Sequence, residues 1–328
     1  MKAVIVREFG PVENAAVDDI SVPIPLDEEV LVKVALAPAN FVDTLVISGK
    51  YQFLPDLPFT PGKGPVGVVA ATGPRVQTLK VGDRVLAMAE KGGYAEFACA
   101  SETQCYALPD KLSFEVAAAI SLAFDTAWLA LIDRARMVAG ETVLVLGATG
   151  AVGNAAVQLA KAKGATVIAG ISSASKAGAA RNAGADYVVD LTANGLRDSL
   201  PKQVYEANQG RGADIVIDPL GGEFFDAAIR TLAWRGRLVV VGFAAGKIPV
   251  LKVNRLLLRN IEVSGIQVSD YRRYMPNMMR RCFEDVFQLY INGYLAPTPI
   301  TKYPLEHFWR ALNDISNRKA AGRAVLVP

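Results

Sequence analysis

Hydrophobic positions change their period along this chain. In the first third, 3–6 is a short apolar run, 30–35 alternates, and a glycine-rich turn at 61–70 leads into a further run. A tight turn at 81–83 leads to another run, and 92–98 continues the series. Alternation of this kind reads as half-buried strands, and turn signals between short strands predict a compact barrel or sandwich. From Ser113 the pattern changes: residues 114–131 are rich in Ala and Leu with a helical period. Next, 143–146 is a wholly apolar, β-branched run, as a strand buried on both faces requires. A helical pattern at 154–163, a strand at 166–171, a helix at 175–183 and a strand at 187–190 follow. That succession is β-α-β-α-β, half of a doubly wound parallel sheet. Strands at 213–217, 236–241 and 261–266, with a helix at 222–232, supply the other half. A long amphipathic helix at 275–290 leads to short strands at 298–302 and 322–327. The expected organisation is a β domain over 1–120, an α/β domain over 121–268, and a return of 269–328 to the β domain.

The first strand of the α/β block ends in Gly147, Gly150 and Gly153, spaced G-x-x-G-x-x-G. Small residues let backbone N–H groups approach phosphate oxygens, and the helix N-terminus that follows adds partial positive charge. In the strand–turn–helix context this is a dinucleotide pyrophosphate site. The end of the second strand selects the cofactor. NAD usually needs a carboxylate there for the ribose hydroxyl. Residues 170–176 contain none; Ser172 and Ser173 offer hydroxyls and Lys176 a charge, which suits a 2′-phosphate. NADPH is the expected cofactor.

Composition narrows the function classes. Hydrophobic residues make up 52% of the 328, enough for large cores. The net charge of +3, from 35 basic and 32 acidic residues, forms no basic block, so nucleic acid is not an expected partner. Three cysteines without metal or disulfide spacing, a short N-terminal apolar run and no membrane-length segment lead to the expectation of a soluble cytoplasmic protein.

The ordered motifs resemble the medium-chain dehydrogenase/reductase superfamily in its zinc-free quinone oxidoreductase branch. They are NFVD at 40–43, Pro61-Gly62, VGDRV at 81–85, GYAEF at 93–97, Thr126-Ala127 and the glycine turn. DPLGG at 218–222, GRLVVVG at 236–242 and GRAVLVP at 322–328 complete the set. The resemblance runs nearly end to end. It implies a Rossmann doubly wound parallel sheet inserted in a GroES-like β-barrel domain, and a homodimer. It also implies that Gly150, Ala151 and Val152 line the pyrophosphate, and that Thr126, Gly242, Phe243, Ile266 and Val268 lie near the nicotinamide end. Lys176 would hold the 2′-phosphate and Arg318 would sit near the cofactor phosphates. A tyrosine that assists Lys176 in the family is Leu191 here. Zinc-dependent relatives carry Gly-His-Glu where this chain has Gly62-Lys63-Gly64, and an ammonium cannot ligate zinc. No metal is expected. His307, beside Phe308 and Trp309, reads as a packing residue.

Hydride transfer from a nicotinamide needs geometry and stabilisation of developing negative charge more than a reactive side chain. The candidate catalytic residues are Asn40, a donor to an acceptor oxygen, and Tyr51, at the position where related enoyl thioester reductases place a proton donor. Asp43 is expected to orient the loop. The leading reading is an NADPH-dependent reductase of a quinone or α,β-unsaturated carbonyl, a small-molecule electron acceptor. A 2-enoyl thioester (enoyl-CoA or enoyl-ACP) reductase is the second reading, and a non-catalytic NADPH-binding structural or regulatory protein the third.

Overall fold

The computed structural model describes residues 1–320 and 322–328. The chain divides into two compact units: unit 1 is Met1–Leu122, Tyr271–Phe283 and Pro297–Pro328, and unit 2 is Ala123–Asp270 and Glu284–Ala296. The stretch expected to return whole to the β domain is therefore shared. Lys163 pairs with Asp285 at 2.7 Å, and the Ala296 amide donates to Gln158 at 2.7 Å, which ties this piece to unit 2.

Unit 1 holds a seven-stranded sheet. Its order is Ile300–Pro304, Arg323–Val327, Glu29–Pro38, Val66–Thr72, Arg84–Ala87 and Cys105–Ala107, with Phe97–Ser101 also pairing on Glu29–Pro38. The ten-residue strand Glu29–Pro38 is the hub, and register shifts along it bend the pairing. The sequence reading placed a strand at 92–98, but the ladder begins only at Phe97. Before it, the amides of Gly93 and Tyr94 bond to the carbonyls of Gly62 and Pro61, which makes 92–96 a loop clamp instead. Two helices of unit 1 were not read from the sequence. Phe41–Ile47 buries Val46 and Ile47, and Phe308–Ser316 buries Phe308, Ala311 and Leu312.

Unit 2 is a six-stranded, wholly parallel sheet. Its order is Tyr187–Asp190, Thr166–Ile171, Thr142–Val145, Ala213–Asp218, Leu232–Val240 and Glu262–Gly265. In order of appearance the strands run 3-2-1-4-5-6, the Rossmann arrangement, whose switch point lies between Thr142–Val145 and Ala213–Asp218. All four residues of the central strand Thr142–Val145 are buried, as a strand covered on both faces must be. The helix expected over 114–131 is broken. Leu122 adopts φ 62°, separating Phe114–Ile120 from Ala123–Trp128, and a wider turn follows at Leu129–Arg134. The helix Leu196–Ala207 was missed because Pro201 interrupts its pattern; Leu196, Leu200 and Val204 still stack on one buried face. No single helix among the described residues is long and apolar enough to cross a membrane.

Candidate active site

In unit 2, the glycine turn is dictated by close backbone approach. Gly147 takes φ +58°, and a Cβ on Gly153 would lie 2.2 Å from the Gly147 carbonyl oxygen. Gly150 is the N-cap of helix Ala151–Ala162, and no side chain caps it. The first-turn N–H groups of Ala151 and Val152 thus face a site that an anion can complete. The other expected cofactor loops follow neighbouring strands. Ser172, Ser173 and Lys176 come after Thr166–Ile171, Gly242 and Phe243 after Leu232–Val240, and Ile266 and Val268 after Glu262–Gly265. All therefore leave carboxyl ends of parallel strands, where ligands of open α/β sheets bind.

At the second strand end, the Ser173 hydroxyl accepts from the Ser175 amide at 3.3 Å and shapes the turn. Ser172 is exposed and Lys176 half-buried. The fit to a phosphorylated ribose is therefore hydroxyls and one cation, with no carboxylate to repel it. Leu191 cannot assist, because it is 4% exposed and sits in the core against Gly170. Thr126 is buried, with its amide bonded to Asp125 at 2.6 Å. Arg318 is exposed and belongs to unit 1, where it ends a helix at φ 58°. It is the one expected cofactor residue outside unit 2; Ala321 of the same motif lies outside the described residues.

The sequence reading missed Asp218, at the end of Ala213–Asp218. Its Oδ1 accepts from the amides of Leu220 and Gly221, both at 2.9 Å, while Oδ2 is buried without a hydrogen-bond partner. Burial pushes this carboxyl up from its ordinary value. It shapes the loop packed under Phe243, where a Cβ on Gly221 would lie 2.8 Å from the ring.

Unit 1 gathers buried charge. Asn40 is 3% exposed and caps helix Phe41–Ile47 in a reciprocal box with Asp43. Its Nδ2 donates to Asp43 at 3.1 Å, to the Pro38 carbonyl at 3.1 Å and to the Lys63 carbonyl at 3.4 Å. Its Oδ1 accepts from Arg323. The amide expected to reach an acceptor is thus engaged within the protein, and Asn40 is a framework residue. Asp43, as expected, orients the loop: its Oδ2 accepts from the Asn40 amide at 2.9 Å and the Tyr94 hydroxyl at 2.8 Å. Burial raises the Asp43 carboxyl, and burial together with Asp43 raises the Tyr94 phenol well above its usual range.

Beside this network, Lys63 is 5% exposed, and its ammonium pairs with Glu90. Arg272, 2% exposed, takes the other oxygen of Glu90 at 2.7 Å. Burial works to raise the Glu90 carboxyl, but Arg272 and Lys63 overcome it and hold the group down at about 2. Tyr51 is half-buried, and the Lys63 Nζ lies 5.2 Å from its ring centroid. Zinc needs thiolate, imidazole or carboxylate lone pairs. Here the lysine is an ion-paired cation and Asp43 Oδ2 already accepts several hydrogen bonds, so this donor set does not fit the metal. Sequence reading singled out Lys63 but not Glu90 or Arg272, which lie far apart along the chain and carry no motif, and it met Arg323 only as part of the motif at 322–328.

Comparison with known proteins agrees with this geometry. Residues 26–110 match the family described as alcohol dehydrogenase GroES-like domain, and residues 151–284 match that described as zinc-binding dehydrogenase. The chain is 34% identical over 330 residues to a human quinone oxidoreductase, covering 100% of this chain and 98% of the relative. A Pseudomonas syringae quinone oxidoreductase structure superposes with TM-score 0.92 at 29% identity, covering 100% of this chain and 99% of that one. An Escherichia coli quinone oxidoreductase solved with NADPH gives TM-score 0.90 at 27% identity, with full coverage of both chains. With a wholly parallel 3-2-1-4-5-6 sheet, a GroES-like unit built from both chain ends, and relatives matched over their whole length, the chain belongs to the quinone oxidoreductases of the medium-chain dehydrogenase/reductase superfamily.

Proposed function

We propose that this oxidoreductase is NADPH-dependent and zinc-independent, and that it passes hydride to a quinone or an α,β-unsaturated carbonyl compound. The observation that carries the reading is the second strand end of unit 2, where Ser172, Ser173 and Lys176 stand without a carboxylate, beside the uncapped turn at Gly150. Relatives solved with NADPH support the same cofactor. An apolar acceptor is supported by the loop that carries Tyr51, which exposes Phe53, Leu54 and Leu57. Zinc independence is supported by the donor set around Lys63.

When bound, the cofactor supplies the hydride. The amides of Ala151 and Val152 would hold the pyrophosphate, Lys176 the 2′-phosphate, and Thr126, Gly242, Phe243, Ile266 and Val268 the nicotinamide end. Tyr51 would give its phenolic proton to the reduced acceptor and regain one from water. The Asn40–Asp43–Tyr94 bonds keep the loop that leads to Tyr51 in place.

We further propose a homodimer formed through unit 2. Its edge strand Glu262–Gly265 has a partner on one side only, and the preceding segment exposes Ile248, Val250, Val253, Leu257 and Leu258. A second copy is the occupant that such a surface fits, and Leu257→Glu with Leu258→Glu would yield monomers in light scattering. Cytoplasmic residence is supported by Cys99, Cys105 and Cys282 forming no disulfide among the described residues. The functional test is NADPH oxidation with a quinone, an unsaturated ketone and an enoyl thioester, before and after dialysis against a chelator. Undiminished quinone or enone turnover after dialysis is expected. A thioester reduced fastest favours an enoyl thioester reductase, and tight NADPH binding without turnover of any acceptor favours a binding protein.

A further inference from the structure

We infer that unit 2 carries a second anion site, at the end of its sheet opposite the loops proposed for the cofactor. Its ligand is a small organic anion with an apolar body and a carboxylate or phosphate head. The inference is independent of the quinone or enone reading. The cofactor loops leave the carboxyl ends of the strands, whereas this site is built at the amino ends. Arg230 lies between helix Gly222–Ala228 and strand Leu232–Val240. Arg259 ends helix Asn254–Arg259, just before Ile261 and strand Glu262–Gly265. Tyr205 stands in the last turn of helix Leu196–Ala207. With Arg255 they line a cavity of about 360 Å³, within the range of roughly 300–1,000 Å³ that small-molecule sites occupy.

Little in the protein answers these cations. Arg255 and Arg259 are four apart on one helix and share a face. Arg255 is half-buried, and its side chain has no ion pair or hydrogen bond among the described residues. Arg259 donates to the carbonyls of Arg230 and Leu232, both at 3.1 Å, and to the Tyr205 hydroxyl at 3.4 Å. Those acceptors are neutral. Arg230 does meet a carboxylate, Asp198 at 3.0 Å, but the Asp198 side chain is 80% exposed, and a pair so open to water holds weakly. The Arg230 Nε is buried without a hydrogen-bond partner. No carboxylate among the described residues lines the cavity, and Pro201, Ile229 and Ile261 give it an apolar wall. This lining defines the ligand. The fork of Arg255 matches a carboxylate or phosphate through two parallel hydrogen bonds. Because the Tyr205 oxygen accepts from Arg259, its own proton is left to donate to the anion. An apolar body covers the wall.

The test is calorimetric titration of the intact protein saturated with NADPH, which keeps the cofactor phosphate sites filled. The probes are benzoate, phenyl phosphate, inorganic phosphate and neutral benzyl alcohol. The variants are Arg255→Gln, Tyr205→Phe and Arg211→Gln. Arg211 is an exposed cation that lines the neighbouring cavity at Trp234 and not this one, so its variant removes the same charge from elsewhere. Benzoate or phenyl phosphate should bind wild type, and the tighter of the two names the head group. Arg255→Gln should bind it roughly tenfold or more weakly, Tyr205→Phe should fall between, and Arg211→Gln should match wild type. Equal NADPH affinity in every variant checks that each one folds. Failure of both organic anions to bind wild type overturns the inference. So does unchanged binding in Arg255→Gln and Tyr205→Phe, or a loss in Arg211→Gln as large as that in Arg255→Gln. Benzyl alcohol as tight as benzoate overturns the anionic head, and inorganic phosphate as tight as phenyl phosphate overturns the apolar body. A protein that reduces no quinone or enone but binds benzoate through Arg255 loses the functional reading and keeps this site.

Discussion

The two units solve opposite problems with opposite materials. Unit 2 makes the loops proposed for the cofactor from backbone and from missing side chains: Gly147, Gly150 and Gly153, an uncapped helix, and a strand end free of carboxylates. Unit 1 instead gathers buried charged side chains, with Asp43, Lys63 and Arg272 all 5% exposed or less. A bound cofactor carries its own charge and needs donors already in place. The comparison teaches that binding can be written in short local spacings, whereas electrostatics in this fold is assembled from chain segments far apart.

The contrast breaks most sharply at Gly153. Gly153→Val should weaken NADPH by roughly 100-fold or more, about 3 kcal/mol, because its Cβ would meet the Gly147 carbonyl at 2.2 Å. Fluorescence titration checks this, and unchanged affinity would mean the turn does not cradle the pyrophosphate. Tyr51→Phe tests the other unit. Loss of a proton donor should lower kcat on the order of 100-fold while cofactor affinity holds; a silent variant would make Tyr51 a wall residue. Lys176→Ala sharpens the comparison within unit 2, with NADPH weakened by about tenfold, near 1.4 kcal/mol, and NADH nearly unaffected. Equal loss for both cofactors would remove the 2′-phosphate assignment.

The smallest expected effect concerns acid. Glu90 is held at about 2 against an ordinary 4.5, so its ion pairs add stability that is full above the ordinary value and is lost as pH falls towards 2. The melting temperature of wild type should therefore fall more steeply over that window than that of Glu90→Gln. Parallel slopes would show that the pairs add nothing to stability.

Much of the fold was legible in the sequence, and the reasons are local. The run 143–146 is apolar because both faces of its strand are covered, and the glycines that follow are required by contacts within a few residues. Alternation marked the strand Glu29–Pro38, where exposed Lys33 stands between buried Val32 and Val34, and a glycine-rich turn marked the start of Val66–Thr72. What escaped depended on distance. The loop at 92–96 reads as a strand, but the amides of Gly92, Gly93 and Tyr94 bond to residues 60, 62 and 61, and its β pairing is an isolated bridge between Ala3 and Ala95. Asn40 was legible as a polar residue of interest, yet its commitment to Arg323 joins positions 283 residues apart. Glu90 and Arg272, 182 residues apart, meet only in the folded unit. Lys63 stood out as a departure from a motif, and its ion pair with Glu90, 27 residues on, is visible only in the folded unit.

The most direct measurement of the central claim is anaerobic stopped-flow oxidation of NADPH deuterated at the transferred position, with a simple benzoquinone as acceptor. The account predicts saturable oxidation, a primary isotope effect, one quinol formed per NADPH consumed, and indifference to chelator. Tight NADPH binding with no isotope-sensitive oxidation by a quinone or an enone would contradict it.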